Sequence, residues 1–483
     1  MSRRCVPTSL TAYISSARPF QTNTVHLPIR TSSSPFLYRL GHYRAFSQTI
    51  TRYNMPVAIP KNTSAEVTAE VGGQANVDQL HRTSRDFRSD TITIPTDAQL
   101  LFALRASRGD DVYGEDPSTT NLEKRIAKLT GKEAALFAVS GTMTNQLAIR
   151  THMKQPPHSV ITDWRAHVHK MEAGGIAMFS QATTHQLVPS NGIHLTVEDI
   201  EPALQLGDNI HIAPTKLICL ENTLSGIVFP QDEAVRIGEL ARKHDIGMHL
   251  DGARIWNAAA AEIEKRGLDA TKEEDLQTVL TELCAPFDSA SLCLSKGIGA
   301  PIGSAIVGTR EFIARAKWFR KAFGGGIRQA GGLAASADYA ITHHFPRLAG
   351  THKLAKRLEE GLRELGCDIL APVDTNMVFF NSKNMGLPLD AVMARLAALP
   401  DPIIVGRERC VLHHQISPEA VEDFIATVAE MKKEKEESGQ LKKDVLDQDA
   451  KDKLYRFVGP EGDKEDKAKV SEADLRKQGA LGY

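Results

Sequence analysis

Acidic side chains are missing from the start of this chain. No Asp or Glu precedes Glu66, whereas Arg3, Arg4, Arg18, Arg30, Arg39, Arg44 and Arg52 recur among many Ser and Thr. Arginine-rich, serine-rich and acid-free is the composition of an organelle transit peptide, so residues 1–53 are expected to direct mitochondrial import. Arg44-Ala45-Phe46-Ser47 resembles an arginine-anchored processing site. The alternative is translation from Met55 and a cytoplasmic protein. Cysteine is scarce too: Cys5, Cys219, Cys284, Cys293, Cys367 and Cys410 form no CxxC pair and no His/Cys cluster of zinc spacing. No metal site is therefore expected, and thiols in apolar runs such as LICLEN and ASLCLS read as buried small hydrophobes. Long apolar runs are also absent; none approaches the roughly 18 residues of a membrane-spanning helix. A net charge of −1 gives no bulk attraction to nucleic acid or to a membrane surface.

What is present fits a large α/β domain, a smaller second domain and tails, since 483 residues exceed one ordinary core. A polar linker is expected over 54–85, the large domain over 86–344, a small C-terminal α+β domain over 345–432 and a charged tail over 433–483. Ser118, Thr119 and Thr120 precede Leu122, Ile126 and Leu129 at helical spacing, predicting a capped helix that Gly131 stops. Ala134–Val139, Ser159–Thr162, Lys216–Leu220, Ile246–Leu250, Ser289–Leu294 and Ser304–Val307 read as buried strands. Asp232–Lys243, with Val235, Ile237, Leu240 and Ala241 inward, and Arg310–Phe323 read as helices. This alternation predicts a mostly parallel sheet sandwiched by helices. In the smaller unit, a basic helix over Leu348–Leu365, strands at Asn376–Phe380 and Arg409–His413, and a helix after Ser417 are expected.

Ligands of such sheets gather at the carboxyl ends of the strands, and three segments place reactive groups there. Ser140-Gly141-Thr142-Met143-Thr144 lies between a strand and a helix, where free N–H groups bind phosphate and glycine permits close approach. Serine and glycine also serve such turns merely as caps. His249-Leu250-Asp251-Gly252-Ala253-Arg254 ends an apolar strand with a carboxylate, which is costly there unless paired. A pyridinium nitrogen is one such partner; an ion pair with Arg254 is the other. Leu294-Ser295-Lys296-Gly297-Ile298-Gly299 follows a buried strand, and Lys296 is the only charge between Asp288 and Arg310. A desolvated lysine is a nucleophile towards carbonyls, although a bare S-K-G is common in surface turns. The three in this order are far more specific than any one alone.

On these residues, and on FRSDTIT (87–93), GDDVYGEDP (109–117), GKEAALF (131–137), AHVHKMEAGG (166–175), HLDGAR (249–254), LSKGIGAPIGS (294–304) and FGGGIRQAGG (323–332), the chain resembles the threonine aldolases of the fold-type-I pyridoxal-phosphate (PLP) enzymes over roughly residues 86–425. The resemblance implies PLP as cofactor, Lys296 as its Schiff-base lysine, Asp251 on the pyridine nitrogen, His167 stacked on the ring, and Gly141 and Thr142 on the phosphate. It implies that Ser89, Arg254 and Arg409 hold the substrate carboxylate, with Arg254 also close to the cofactor's phenolic oxygen. Tyr113, Lys321 and Arg328 would complete the site across a subunit interface in a homodimer or homotetramer, and His169 has no matching role. The implied reaction is retro-aldol cleavage of L-threonine and L-allo-threonine to glycine and acetaldehyde. Family members often carry Glu-Asn-Thr-His where Glu221-Asn222-Thr223-Leu224 stands here, so Leu224 removes a polar group expected at the substrate's β-hydroxyl. A β-eliminating lyase on the same fold and a non-enzymatic scaffold are the other readings.

Overall fold

The computed structural model describes residues 73–438, all within the compact unit Asn62–Tyr483. The expected transit peptide, most of the linker and the last part of the charged tail lie outside the described residues. Apolar runs alternating with amphipathic helices build a seven-stranded sheet from β1 (Ala134–Ala138), β2 (Ser159–Asp163), β3 (Thr183–Leu187), β4 (Thr215–Glu221), β5 (Gly247–Gly252), β6 (Ser289–Cys293) and β7 (Ser304–Gly308). Their order is β1-β7-β6-β5-β4-β2-β3, with β7 alone antiparallel to its neighbours. The carboxyl ends of β1, β2, β4, β5 and β6 therefore share one edge. Strands covered on both faces need apolar side chains throughout, and β2, β6 and β7 are buried along their whole length.

β3 was not expected. It is the edge strand, and Thr183-Thr184-His185-Gln186-Leu187 is half-exposed, so no apolar run marks it. The first long helix, Pro117–Leu129, is capped by Asp116 rather than by the following hydroxyls: its carboxylate accepts from the N–H groups of Ser118 and Thr119, with Pro117 in the first turn. The helix Gln231–Lys243 buries Ala234, Ile237, Leu240 and Ala241, but Val235 points outward at 39% exposure, because 234, 237 and 241 share a face that 235 does not. A helix over Gly73–Thr83 stands where linker was expected, with Leu80 and Thr83 buried and Gln74 bonded to Asp78 one turn on.

A second sheet, β8 (Asp368–Ile369), β9 (Met377–Asn381) and β10 (Arg409–Val411), is antiparallel in the order β10-β9-β8. The helices Leu348–Glu364 and Pro418–Glu437 cover it, and the second helix carries the segment 433–437 that was expected to be tail. Phe87 belongs to this second core, in edge-to-face contact with Phe424, and its backbone bonds both Ile404 and Val411. The segment Ser89–Asp90 thus starts from the smaller sheet and reaches the edge of the larger one.

Candidate active site

At the shared edge, Glu221 ends β4, and its register partner Asp251 stands near the end of β5. Asp251 is buried; its Oδ1 accepts from the Ala253 N–H at 3.0 Å and its Oδ2 from Asn145 Nδ2 at 2.9 Å. The helix Gly141–His152 carries Asn145 on the face turned to the sheet. The same amide nitrogen donates to Glu172 at 2.9 Å, so its oxygen faces His249 Nε2 at 3.2 Å. That oxygen must accept, so His249 carries its proton on Nε2. His249 Nδ1 then accepts from Ser289 Oγ at 2.9 Å, and Ser289 accepts from His152 Nε2 at 2.8 Å. Burial pushes His249 down to about 3 and His152 down to about 4, so both rings are neutral and the relay is fixed.

His167 opens the short helix His167–Lys170 after β2. Its backbone N–H donates to Glu221 Oε2 at 2.8 Å and its Nδ1 lies 2.9 Å from Glu172 Oε1. Glu172 also receives Gln146 Nε2 at 2.6 Å. Ligand atoms of His167, Glu172 and Asp251 all fall within 4.8 Å of one another, as this chain of hydrogen bonds requires. Burial alone would lower His167, but the bond to Glu172 and the charge of Asp251 override it and raise the imidazole above its ordinary value. With Nδ1 turned to Glu172, Nε2 is the ring nitrogen left to meet a ligand. Enclosure, then the neighbouring Asp251 charge, pushes Glu221 up to about 7. Asn145, Glu172, Glu221 and Asp90 had not been singled out as site residues, since no motif spacing links them; only Glu221, which closes the apolar strand β4, carried a signal of its own.

Lys296 follows β6, half-buried, and no hydrogen bond ties its amine to another described residue. Its charge acts on Asp90, His167 and Glu221. The Asp251–Arg254 ion pair considered above does not form. Arg254 instead grips Asp90 with Nε at 2.9 Å and Nη2 at 2.7 Å, because the helix it starts turns its side chain towards the incoming Ser89–Asp90 segment. The guanidinium of Arg409, at the start of β10, donates among the described residues only to the Arg88 carbonyl, at 3.3 Å. Burial and the nearby Arg254 lower its pKa while Asp90 opposes them. Ser89 lies beside Asp90, its Oγ 2.8 Å from Thr91 Oγ1.

The expected interface residues stand apart. Tyr113 is 75% exposed, with the Arg328 guanidinium 6.0 Å from its ring centroid and 3.1 Å from Asp110; Lys321 is exposed beside Gly326. Among the described residues none of the three bonds Lys296, Asp251 or His167. His169 faces Gln186 at 2.8 Å, away from the relay.

These residues fit an aromatic aldehyde with a phosphate arm. Ser140 caps Met143, leaving the N–H groups of Gly141 and Thr142 unbonded to any described residue at the start of a twelve-residue helix. A Cβ at Gly141 would meet only Cys293 Sγ, at 3.9 Å, so the approach is open. Asp251 keeps acceptor capacity for a protonated ring nitrogen, and the Lys296 amine is not committed elsewhere.

A family model described as beta-eliminating lyase matches residues 86–384. The chain belongs to that family of enzymes. It is 49% identical over 342 residues to a probable low-specificity L-threonine aldolase of Schizosaccharomyces pombe, covering 71% of this chain and 86% of that one. It is 44% identical over 349 residues to a low-specificity L-threonine aldolase of Saccharomyces cerevisiae, covering 72% and 86%. Among solved structures, a threonine aldolase of Leishmania major superposes with a TM-score of 0.59 at 20% identity, over 72% of this chain and 99% of that one. The last similarity supports the fold: a mostly parallel sheet sandwiched by helices, with a small α+β domain.

Proposed function

We propose that the protein uses PLP to cleave L-threonine and L-allo-threonine to glycine and acetaldehyde. The observation that carries this reading is the convergence of an uncommitted lysine, a buried carboxylate, a histidine with one free ring nitrogen and a free helix N-terminus at one sheet edge. Its relatives' names supply the substrate class. Lys296 would hold the cofactor covalently, Asp251 would keep a proton on its ring nitrogen, and the N–H groups of Gly141 and Thr142 would bind its phosphate. When bound, PLP supplies an electron-accepting ring joined to the substrate's amino nitrogen.

The chain's own residues do the rest. Arg409, with no carboxylate partner among the described residues, takes the substrate carboxylate, with Ser89 and the remaining guanidinium nitrogen of Arg254 beside it; a planar guanidinium suits that geometry. Fixing the carboxylate and amino group would decide which bond at Cα is aligned for cleavage. Glu172 holds His167 through Nδ1, so Nε2 takes the β-hydroxyl proton as the Cα–Cβ bond breaks. A proton delivered to Cα completes glycine. Exposed Tyr113, Lys321 and Arg328 support completion of the site by a second copy, in a homodimer or homotetramer. No described helix is long and apolar enough to cross a membrane. The acid-free composition before Glu66 supports mitochondrial import, and sequencing the amino terminus of the mature protein decides it.

The test is acetaldehyde released by purified, PLP-loaded protein from both threonine diastereomers. Release of a keto acid from substrates with a leaving group at Cβ, without threonine cleavage, would overturn the aldolase reading in favour of β-elimination.

A further inference from the structure

Beyond the strand that carries Arg409, the successive residues His413, His414 and Gln415 each bond a different stretch of backbone. His413 Nε2 lies 3.1 Å from the Asp86 carbonyl, His414 Nδ1 lies 3.1 Å from the Gly297 carbonyl, and Gln415 exchanges bonds of 3.0 and 2.8 Å with Ile94. Asp86 and Ile94 bracket Ser89 and Asp90; Gly297 is the residue after Lys296. The next two carbonyls are held as well. His344, at the end of the helix Gly331–His343, places Nδ1 2.8 Å from the Ile298 carbonyl, and Gln99 donates to the Gly299 carbonyl at 3.3 Å. Three consecutive carbonyls after the lysine are thus gripped by three side chains from three separate elements.

Within that segment the backbone bonds run from the Gly299 N–H to the Lys296 carbonyl at 3.4 Å and from the Ala300 N–H to the Leu294 carbonyl at 2.8 Å, and neither reaches the carbonyls of Gly297, Ile298 or Gly299. Gly297 and Gly299 have φ of +53° and +68°, outside helix and strand, and a Cβ at Gly299 would stand 2.5 Å from His414 Cε1. The His414 ring is packed against the glycine and against the His344 ring, at 4.8 Å between centroids. Burial pushes His344 down to about 4; burial and the neighbouring histidines hold His414 well below its ordinary value. Each ring is therefore neutral, and its single proton is committed to Nδ1 and the carbonyl. Both Nε2 atoms are buried without a partner among the described residues.

We propose that His414, braced by His344, is a positioning residue for Lys296. From the segment that carries Arg409 it fixes the backbone just after the lysine, so that the cofactor-holding amine and the carboxylate-holding guanidinium keep one separation. The inference rests on the function proposed above for Lys296 and Arg409.

The experiment compares full-length wild type, His414→Phe, which keeps a ring against His344 but has no N–H, and His414→Asn, whose amide N–H falls where Nδ1 stood. In His414→Phe, kcat on L-threonine should fall roughly ten- to a hundredfold, the scale of a small misplacement of reacting groups. KM should change by less than about threefold, since the Arg409 contact is retained. The Kd for PLP, titrated into apoenzyme, should rise up to about tenfold, as for one lost hydrogen bond. His414→Asn should restore both kcat and Kd to near wild type. A Phe variant with unchanged kcat and Kd overturns the proposal, and so does an Asn variant that folds as wild type but restores neither. Should His414→Phe fail to fold, His344→Phe takes its place: a lower kcat and weaker PLP binding support the brace, and unchanged values overturn it. If wild type does not cleave threonine, the functional reading fails, and the PLP titrations alone decide the role of His414.

Discussion

Arg254 and Asp90 form a two-pronged ion pair in which the carboxylate is wholly buried and the guanidinium nearly so. Gly297 N–H and Asn376 Nδ2 add longer contacts to the same carboxylate, at 3.3 and 3.4 Å. The pair thus joins the incoming segment, the helix after β5, the Lys296 loop and the smaller sheet. Burial alone would raise Asp90, but Arg254 and then Lys296 bring it down to about 2.

Removing that carboxylate should be expensive. The folded value lies below the unfolded one, so the stabilisation is complete above the ordinary carboxylate range and is lost as pH falls through about 2. Its size is about 2 kcal/mol near neutrality. Asp90→Asn leaves Arg254 buried without a counter-charge and should cost about 3–5 kcal/mol. Urea unfolding at pH 7 and pH 3 measures both: wild type loses stability between the two, and the variant is weaker at pH 7 with a smaller loss.

The strand pattern was legible because apolar residues crowd where a strand is covered on both faces, as in β2, β6 and β7. β3 was not, because an edge strand needs no such run. Lys296 and Asp251 stood out as charges closing apolar segments. Asn145 and Glu172 did not, because each looks like an ordinary polar residue until the fold brings positions 27 apart in sequence to 2.9 Å. The ion-pair partner of Arg254 was hidden for the same reason: Asp90 is 164 positions away, whereas Asp251, the alternative partner weighed from the sequence, stands within the same HLDGAR segment.

Lys296 carries the covalent attachment in this reading, and its uncommitted amine motivates a direct test. Borohydride reduction of PLP-loaded wild type should fix the cofactor on the peptide containing Lys296, read by mass spectrometry. Lys296→Ala should yield no modified peptide. A modified peptide elsewhere in the chain refutes the assignment.

Asp251 is the group that would keep the cofactor's ring nitrogen protonated, while Asn145 holds it in place. Asp251→Asn should lower kcat by roughly two orders of magnitude or more, the scale of losing a central electrostatic partner, with PLP still bound. Asn145→Leu should lower it less, because the Ala253 N–H still orients the carboxylate. Near-normal turnover of Asp251→Asn would reduce that residue to a structural one.

Glu221 makes a prediction of opposite sign to Asp90. Its folded value is raised to about 7, so its contribution to stability is complete below the unfolded carboxylate range and is lost as pH rises through about 7. Glu221→Gln keeps an acceptor for the His167 N–H but never ionises. At pH 8 the apoenzyme of this variant should match or exceed wild type, by on the order of 1–3 kcal/mol, and the two should converge near pH 5. Urea unfolding of both apoenzymes at the two pH values reads the difference. A variant weaker than wild type at pH 8 would mean that the ionised carboxylate is stabilised where it stands.

In the proposed reading Leu224, buried in the turn after Glu221 and bridged to Ile227, is the wall that meets the substrate's β-carbon. A leucine offers the β-hydroxyl no hydrogen bond, and an apolar wall distinguishes such isomers by only about 1–3 kcal/mol. The expectation is cleavage of both L-threonine and L-allo-threonine with modest preference. Leu224→His introduces a donor and acceptor on the same loop and should change the ratio of their kcat/KM values. Binding of glycine, which has no β-carbon, should stay nearly constant in that variant. Arg409→Ala should do the reverse: it weakens threonine, allo-threonine and glycine together, by about 2–5 kcal/mol, and leaves the ratio alone. Initial rates on the two diastereomers, with a glycine titration by absorbance, separate the roles. If Leu224→His leaves the ratio unchanged, or wild type accepts one diastereomer exclusively, Leu224 does not face the β-hydroxyl and another wall of the site sets the preference.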